Sequence, residues 1–111
     1  MKYYRYLYVS EGVNKVDKLK TKLNLHKGVV GIFIIALGDG TNQLEIINAS
    51  YLKLPFYRKK PFVVVGLAKG YDEAVELVIK MTNESIKKTG SPDVKEYLKI
   101  RAKTKDFTVG E

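Results

Sequence analysis

The densest run of residues able to do chemistry is Phe56-Tyr57-Arg58-Lys59-Lys60-Pro61-Phe62. Cations interleaved with aromatic rings can neutralise phosphates and stack on bases at the same time. Tyr57, Arg58, Lys59 and Lys60 are therefore candidate contacts for a polyanion, either nucleic acid or an acidic protein. Tyr4, Tyr6 and Tyr8 form a second set, because an extended chain puts alternate residues on one face. On a sheet they could serve as a stacking platform, as aromatics do in RNA-binding sheets. Lys15, Lys18 and Lys22 form a third set, a stripe along one side of an expected helix. Each set also has a plainer reading. Aromatics beside a loop anchor it, tyrosines on one strand face pack under a helix or at a subunit interface, and lysine stripes are solvated surface.

A pocket is the alternative. Gly66-Leu67-Ala68-Lys69-Gly70 follows an apolar run and precedes a helical pattern, the place where many α/β proteins bind phosphate. It matches neither G-x-x-x-x-G-K-[ST] nor G-x-G-x-x-G. Asp72 and Glu73 just after it would repel an anion. With Asp39 and Gly40 of the turn Gly38–Thr41, residues Gly66, Lys69 and Gly70 define a candidate cleft at the C-terminal ends of the central strands. A small-molecule site or an unrecognised enzyme would use it.

Signals for catalysis are thin. His26 is the single histidine, and there is no cysteine. Thiolate metal sites, disulfides and histidine pairs are thus excluded, and no cofactor is implied. Ser10 or Ser50 could be combined with His26, but no G-x-S-x-G surrounds either serine. Asp39 suits a turn, while Asp72 and Glu73 suit a helix start. A non-catalytic protein is the expectation.

Charge supports a binding role. The chain of 111 residues carries a formal net charge of +8. Residues 1–60 hold 11 Lys/Arg against 4 Asp/Glu, whereas residues 61–111 hold 9 against 8. One-sided positive charge is what a polyanion-binding surface needs, although lysines also keep small proteins soluble. No signal-peptide block opens the chain and no run could span a bilayer, so a cytoplasmic protein is expected.

The elements that must position these residues follow from periodicity. Residues 2–9 alternate as a strand, and Val13 to about Leu25 has helical spacing with Val16, Leu19 and Leu23 inward, stopped at Gly28. Val29–Leu37 lacks any charge and reads as a strand buried on both faces. Residues 43–52 fit a strand or a helix face. Leu54–Pro61 reads as an exposed connection, irregular or briefly helical. Phe62–Leu67 is a second central strand, followed by a helix from Gly70, with Gly70 as cap and Glu73 three positions on, to Gly90. Ser91-Pro92-Asp93 offers a further cap, with proline at the first helical position. Residues 92–101 fit a helix or an edge strand, and 102–111 read as a frayed polar tail.

The expected fold is α/β, with α+β as the other option. It is one domain over 1–101 with a mixed sheet of about four strands and two main helices, in the order β-α-β-β-β-α plus a short terminal element. A right-handed crossover follows if the first two strands are parallel neighbours.

The segments Gln43-Leu44-Glu45-Ile46, Leu54-Pro55-Phe56-Tyr57, Val64 to Val78 and Thr89-Gly90 resemble a family of small uncharacterised proteins from anaerobic Gram-positive bacteria. The resemblance covers roughly residues 3–100. It implies a free-standing bacterial domain and carries over no activity, cofactor or site residue. A basic binding module, with a homodimer as one option, is the functional expectation.

Overall fold

A computed structural model describes residues 1–38, 44–59 and 62–103. It contains one mixed four-stranded sheet with helices on both faces, an α/β fold. The elements are β1 (Lys2–Val9), α1 (Val16–Asn24), β2 (Ile32–Gly38), β3 (Leu44–Asn48), a 3-10 helix (Ala49–Lys53), α2 (Pro55–Lys59), β4 (Phe62–Lys69), α3 (Gly70–Thr89) and α4 (Val94–Lys103).

The sheet order is β1-β4-β2-β3. β1 runs parallel to β4, and β2 is antiparallel to both β3 and β4. The first two strands are therefore not neighbours, because β4 lies between them, and no crossover joins them as a parallel pair. Both interior strands are apolar up to the exposed Lys69 that ends β4, because each of their faces is covered. On one face Tyr8, Ile35, Val65 and Ala68 pack against Leu77 and Met81 of α3 and Tyr97 and Leu98 of α4. On the other, Ile34, Ala36, Val64 and Leu67 pack against Leu19 and Leu23 of α1 and Ala49 and Leu52 of the 3-10 helix. The result is three layers, helix-sheet-helix.

β4 is irregular at its centre. Ile35 pairs with Gly66 and Ala36 with Val64, which leaves Val65 as an extra residue, a bulge. A Cβ on Gly66 would lie 3.0 Å from Ile35 Cδ1 and 3.5 Å from Met81 Cε. Glycine at this position lets β2 and α3 approach β4 closely. Gly66 thus lies inside the strand expected over Phe62–Leu67, and what differs is its end, because Ala68 and Lys69 are strand too and not the turn before the helix. The strand persists to Lys69 because Leu67 and Ala68 are both buried, one in each core.

Other boundaries shift for identifiable reasons. β2 begins at Ile32, not Val29. Gly31 takes a left-handed φ of 83° and Val30 is 91% exposed, so Val30–Gly31 is a turn, while the Val29 N–H donates to Ala49 O at 3.3 Å. α1 ends at Asn24, and the left-handed residue after it is His26 (φ 55°), ahead of Gly28. Gly70 does not cap α3. It has φ 81° and its N–H donates to Gly31 O at 2.9 Å, while Lys69 holds the extended cap position.

The Glu73 carboxylate reaches another element altogether. It accepts from the Ser10 hydroxyl and from the Gly12 N–H, the latter at 3.1 Å. The buried face of α3 centres on Ala74, Leu77, Met81 and Ser85, one row over from Val75, Val78 and Thr82. Residues 44–53 hold both candidates, a strand and then a 3-10 helix.

Residues 94–103 are helical, so α4 takes in Ala102 and Lys103 and the rest of the expected tail lies outside the described residues. Asp93 is its cap: Asp93 Oδ1 accepts from Glu96 N at 3.1 Å, which leaves Pro92 before the helix and not inside it.

Candidate anion-binding surface

The two helical layers differ in charge. The layer of α1, the 3-10 helix and α2 with their flanking turns (13–31 and 49–59) carries eight lysines and arginines and a single carboxylate, Asp17. The layer of α3 and α4 (70–103) carries seven cations and six carboxylates. The imbalance between the halves of the chain thus becomes an imbalance between the faces of the sheet.

At one end of the basic layer the aromatic rings are exposed. Pro55, with no N–H to lose at a helix start, opens the short α2. That helix projects Phe56, 66% exposed, beside Tyr51, 50% exposed, from the 3-10 helix. Tyr51 and Tyr57 stack with centroids 6.2 Å apart, and Phe56 meets Tyr57 edge-on at 5.0 Å. Lys53, Arg58 and Lys59 are exposed around these rings. The structure therefore places Tyr57, Arg58 and Lys59 together and adds Tyr51 and Lys53, which sequence reading missed. Six positions and a Leu54-Pro55 break separate Tyr51 from Tyr57, so no single helical or strand period joins them. Lys60 lies outside the described residues, as do Asp39 and Gly40 of the alternative pocket.

The lysine stripe occupies the other end of the same layer. Lys15 is the left-handed residue capping α1, and Lys18 and Lys22 follow on its exposed side. All three line a shallow hollow of about 300 Å³ together with Lys69. Glu73 sits behind this hollow. Its carboxyl is held below the ordinary glutamate value first by the Ser10 hydroxyl and then by the Gly12 N–H, against an opposing effect of burial, with lesser help from the Lys69 N–H and charge. That carboxylate offsets part of the Lys69 charge.

Tyr4, Tyr6 and Tyr8 share the α3/α4 side of the sheet, but they do not form an open platform. Tyr8 is only 7% exposed, and its hydroxyl donates to Glu84 Oε1 at 2.6 Å and accepts from Arg101 Nη1 at 2.8 Å. Tyr97 donates to the same Glu84 oxygen at 3.2 Å. Tyr4 donates to Leu98 O at 2.8 Å. Tyr6 meets Tyr4 edge-on at 6.1 Å, with the Arg5 and Arg101 guanidinium groups 5.4 Å and 5.0 Å from its ring. Burial pushes Tyr4 up to about 12, and burial with the Glu84 hydrogen bond pushes Tyr8 higher still. These phenols stay protonated and hold α3 and α4 onto β1.

Of the alternative pocket, Gly66 and Lys69 lie on β4 and Gly70 opens α3. β2 and β4 are antiparallel, with Gly38 opposite Phe62 and Ile32 opposite Lys69. Gly38 and Gly70 are thus at opposite ends of the sheet. Ser10 and His26 are also separated by the length of α1, about 13 Å at 1.5 Å per residue, and the Ser10 hydroxyl is committed to Glu73. Among the described residues, no three His, Asp or Glu side chains are grouped to hold a metal ion, and no helix is long and apolar enough to cross a membrane.

A different cleft lies where β1 and β4 begin and β2 ends. It measures about 830 Å³, and α4 and α2 flank it. Its floor is built from Tyr4, Leu37, Val63, Val65 and Leu98, and Lys2, Arg58, Lys95 and Lys99 stand around it, with His26 from the turn after α1. Strand order brings these residues together, so no local sequence pattern announces them. Compared with protein-family models, curated proteins and solved structures, the chain matches none of them.

Proposed function

We propose that this protein is a non-catalytic binding module that holds single-stranded nucleic acid against the layer of α1, the 3-10 helix and α2. The observation that carries the reading is the ring cluster of exposed Tyr51 and Phe56 with half-buried Tyr57, beside exposed Lys53, Arg58 and Lys59, on the layer with eight cations and one carboxylate. Phosphates on the lysines and arginines supply salt-dependent affinity, and stacking on the rings supplies a preference for unpaired bases. Duplex DNA hides its base faces and would engage only the cations. The Lys15, Lys18 and Lys22 stripe extends the track along α1 toward Lys69.

The test is fluorescence anisotropy with labelled single- and double-stranded DNA and RNA at two salt concentrations, with the Lys53/Arg58/Lys59→Glu variant beside the wild type. The reading expects single strands to bind more tightly than duplex, binding to weaken with salt, and the variant to lose it. Equal binding of single strands and duplex would remove the role of the rings. No binding at low salt would overturn the nucleic-acid reading and leave an acidic protein as the partner to test.

A further inference from the structure

We propose that the cleft between α4 and α2 binds a small organic anion with an aliphatic body, a ligand separate from the nucleic acid of the track. Three observations carry this. The volume, about 830 Å³, falls within the range of about 300–1,000 Å³ typical of small-molecule sites. The interior offers little hydrogen bonding: Leu37, Val63, Val65 and Leu98 are aliphatic, and the Tyr4 hydroxyl is already spent on Leu98 O at 2.8 Å. A ligand body reaching this floor must therefore be apolar, since a polar one would lose water without replacement. The charges around it have one sign. Lys2 comes from β1, Arg58 from α2, and Lys95 and Lys99 from one face of α4, while no carboxylate occurs among the described lining residues. An anionic head, carboxylate or phosphate, fits that rim, and a cationic one is repelled.

An apolar concavity of this size that the described residues leave uncovered marks a binding site more often than a packing defect. Its position also separates it from most of the nucleic-acid track, since Lys95 and Lys99 belong to the opposite helical layer and, of the basic layer, His26, Tyr57 and Arg58 line the cleft.

The test is a titration of the full chain with decanoate, decyl phosphate and decyltrimethylammonium, each below its micelle concentration, followed by isothermal calorimetry and amide chemical shifts. The expected result is micromolar binding of one or both anions, shifts centred on Leu37, Gly38, Val63 and Leu98, and binding at least tenfold weaker for the cation. The two anions distinguish a carboxylate from a phosphate head. Lys95→Glu/Lys99→Glu, changed at exposed or half-exposed positions of α4, should weaken the anions at least tenfold while single-stranded nucleic acid still binds. Ala102→Trp, at the half-buried end of α4, should block the cleft without altering the rim charge. Equal binding of anion and cation would overturn the proposal. So would anion binding unchanged in both variants, or no binding of either anion up to millimolar concentration. The head-group comparison on the wild type decides the matter even if a variant fails to fold.

Discussion

The Tyr8 hydroxyl lies 2.6 Å from Glu84 Oε1 and 2.8 Å from Arg101 Nη1, so one buried oxygen joins β1 to α3 and α4. Removing that oxygen leaves the Arg101 donor without its acceptor and Glu84 with one fewer donor. Tyr8→Phe is expected to lower stability by about 1–3 kcal/mol, the usual effect of stranding a buried polar partner. Urea denaturation with an unchanged m-value would check it. A change below a few tenths of a kcal/mol would mean that solvent satisfies both groups.

The same region sets an alkaline limit. Burial, the largest influence, raises Tyr4 to about 12 and also raises Tyr8 and Tyr97, so the folded state holds these protons more tightly than the unfolded chain. For such groups the stability is fully present below the unfolded tyrosine value near 10 and drains away as pH climbs through the folded values. Denaturation midpoints should therefore fall steadily above about pH 10. Phenolate absorbance near 295 nm should show Tyr4 ionising at about 12 in the folded protein, and Tyr4→Phe should remove that step.

Glu73 sets an acid limit of opposite sign. Its carboxyl is held low by the Ser10 hydroxyl first and then by the Gly12 N–H. A depressed folded value gives stability that is present above the ordinary glutamate range and lost as pH falls through the folded value. Carboxyl carbon shifts should place Glu73 below the exposed glutamates, and Glu73→Gln should flatten the acid limb of stability. Amide exchange at Gly12 should quicken in that variant, because its acceptor is weakened.

Glycines test packing against conformation. Gly66→Ala would drive a methyl to 3.0 Å from Ile35 Cδ1 in the middle of the sheet, with expected destabilisation of about 1–3 kcal/mol from overpacking. Gly31→Ala meets no atom within 4 Å, so only its φ of 83° opposes it, at about 1–2 kcal/mol. Adding Ile35→Val should recover part of the Gly66→Ala loss and none of the Gly31→Ala loss. Equal recovery in both would show that the crowding at Ile35 is not the cause.

Those two glycines also mark what was legible in the sequence. The helix from Gly70 to Gly90 could be read because its apolar period and its left-handed stop are local. So could the alternation that puts Tyr4 and Tyr8 on one face. The sequence ends β4 two residues early, at Leu67, because Ala68-Lys69-Gly70 has turn composition. Only the burial of Leu67 and Ala68 in two different cores shows that the strand continues. What covers the tyrosines depended on α4, whose ten residues fit helix or strand equally in isolation. Strand order is non-local, and with it went the cleft: Leu37 and Val63 come together only because β2 pairs antiparallel with β4. The α2 cluster was visible for the opposite reason, since Tyr57, Arg58 and Lys59 are contiguous.

The last prediction concerns the layers. If the polyanion track follows α1, the 3-10 helix and α2, the position of a charge matters more than the total. Lys15/Lys18/Lys22→Glu and Lys80/Lys87/Lys88→Glu change net charge equally, on opposite sides of the sheet. All six lysines are exposed, and because Lys80 Nζ also lies 6.0 Å from the Tyr8 ring, thermal melts of both variants check that the fold is kept. Each lost phosphate contact lowers the dependence of log K on log salt by about 0.7 for a single strand. The α1 variant should therefore lose about two units of that slope with a matching loss of affinity, while the α3 variant keeps the wild-type slope. The comparison is read from anisotropy over a series of salt concentrations. Equal losses in both variants would mean that net charge alone governs binding, and the track on α1 would be abandoned.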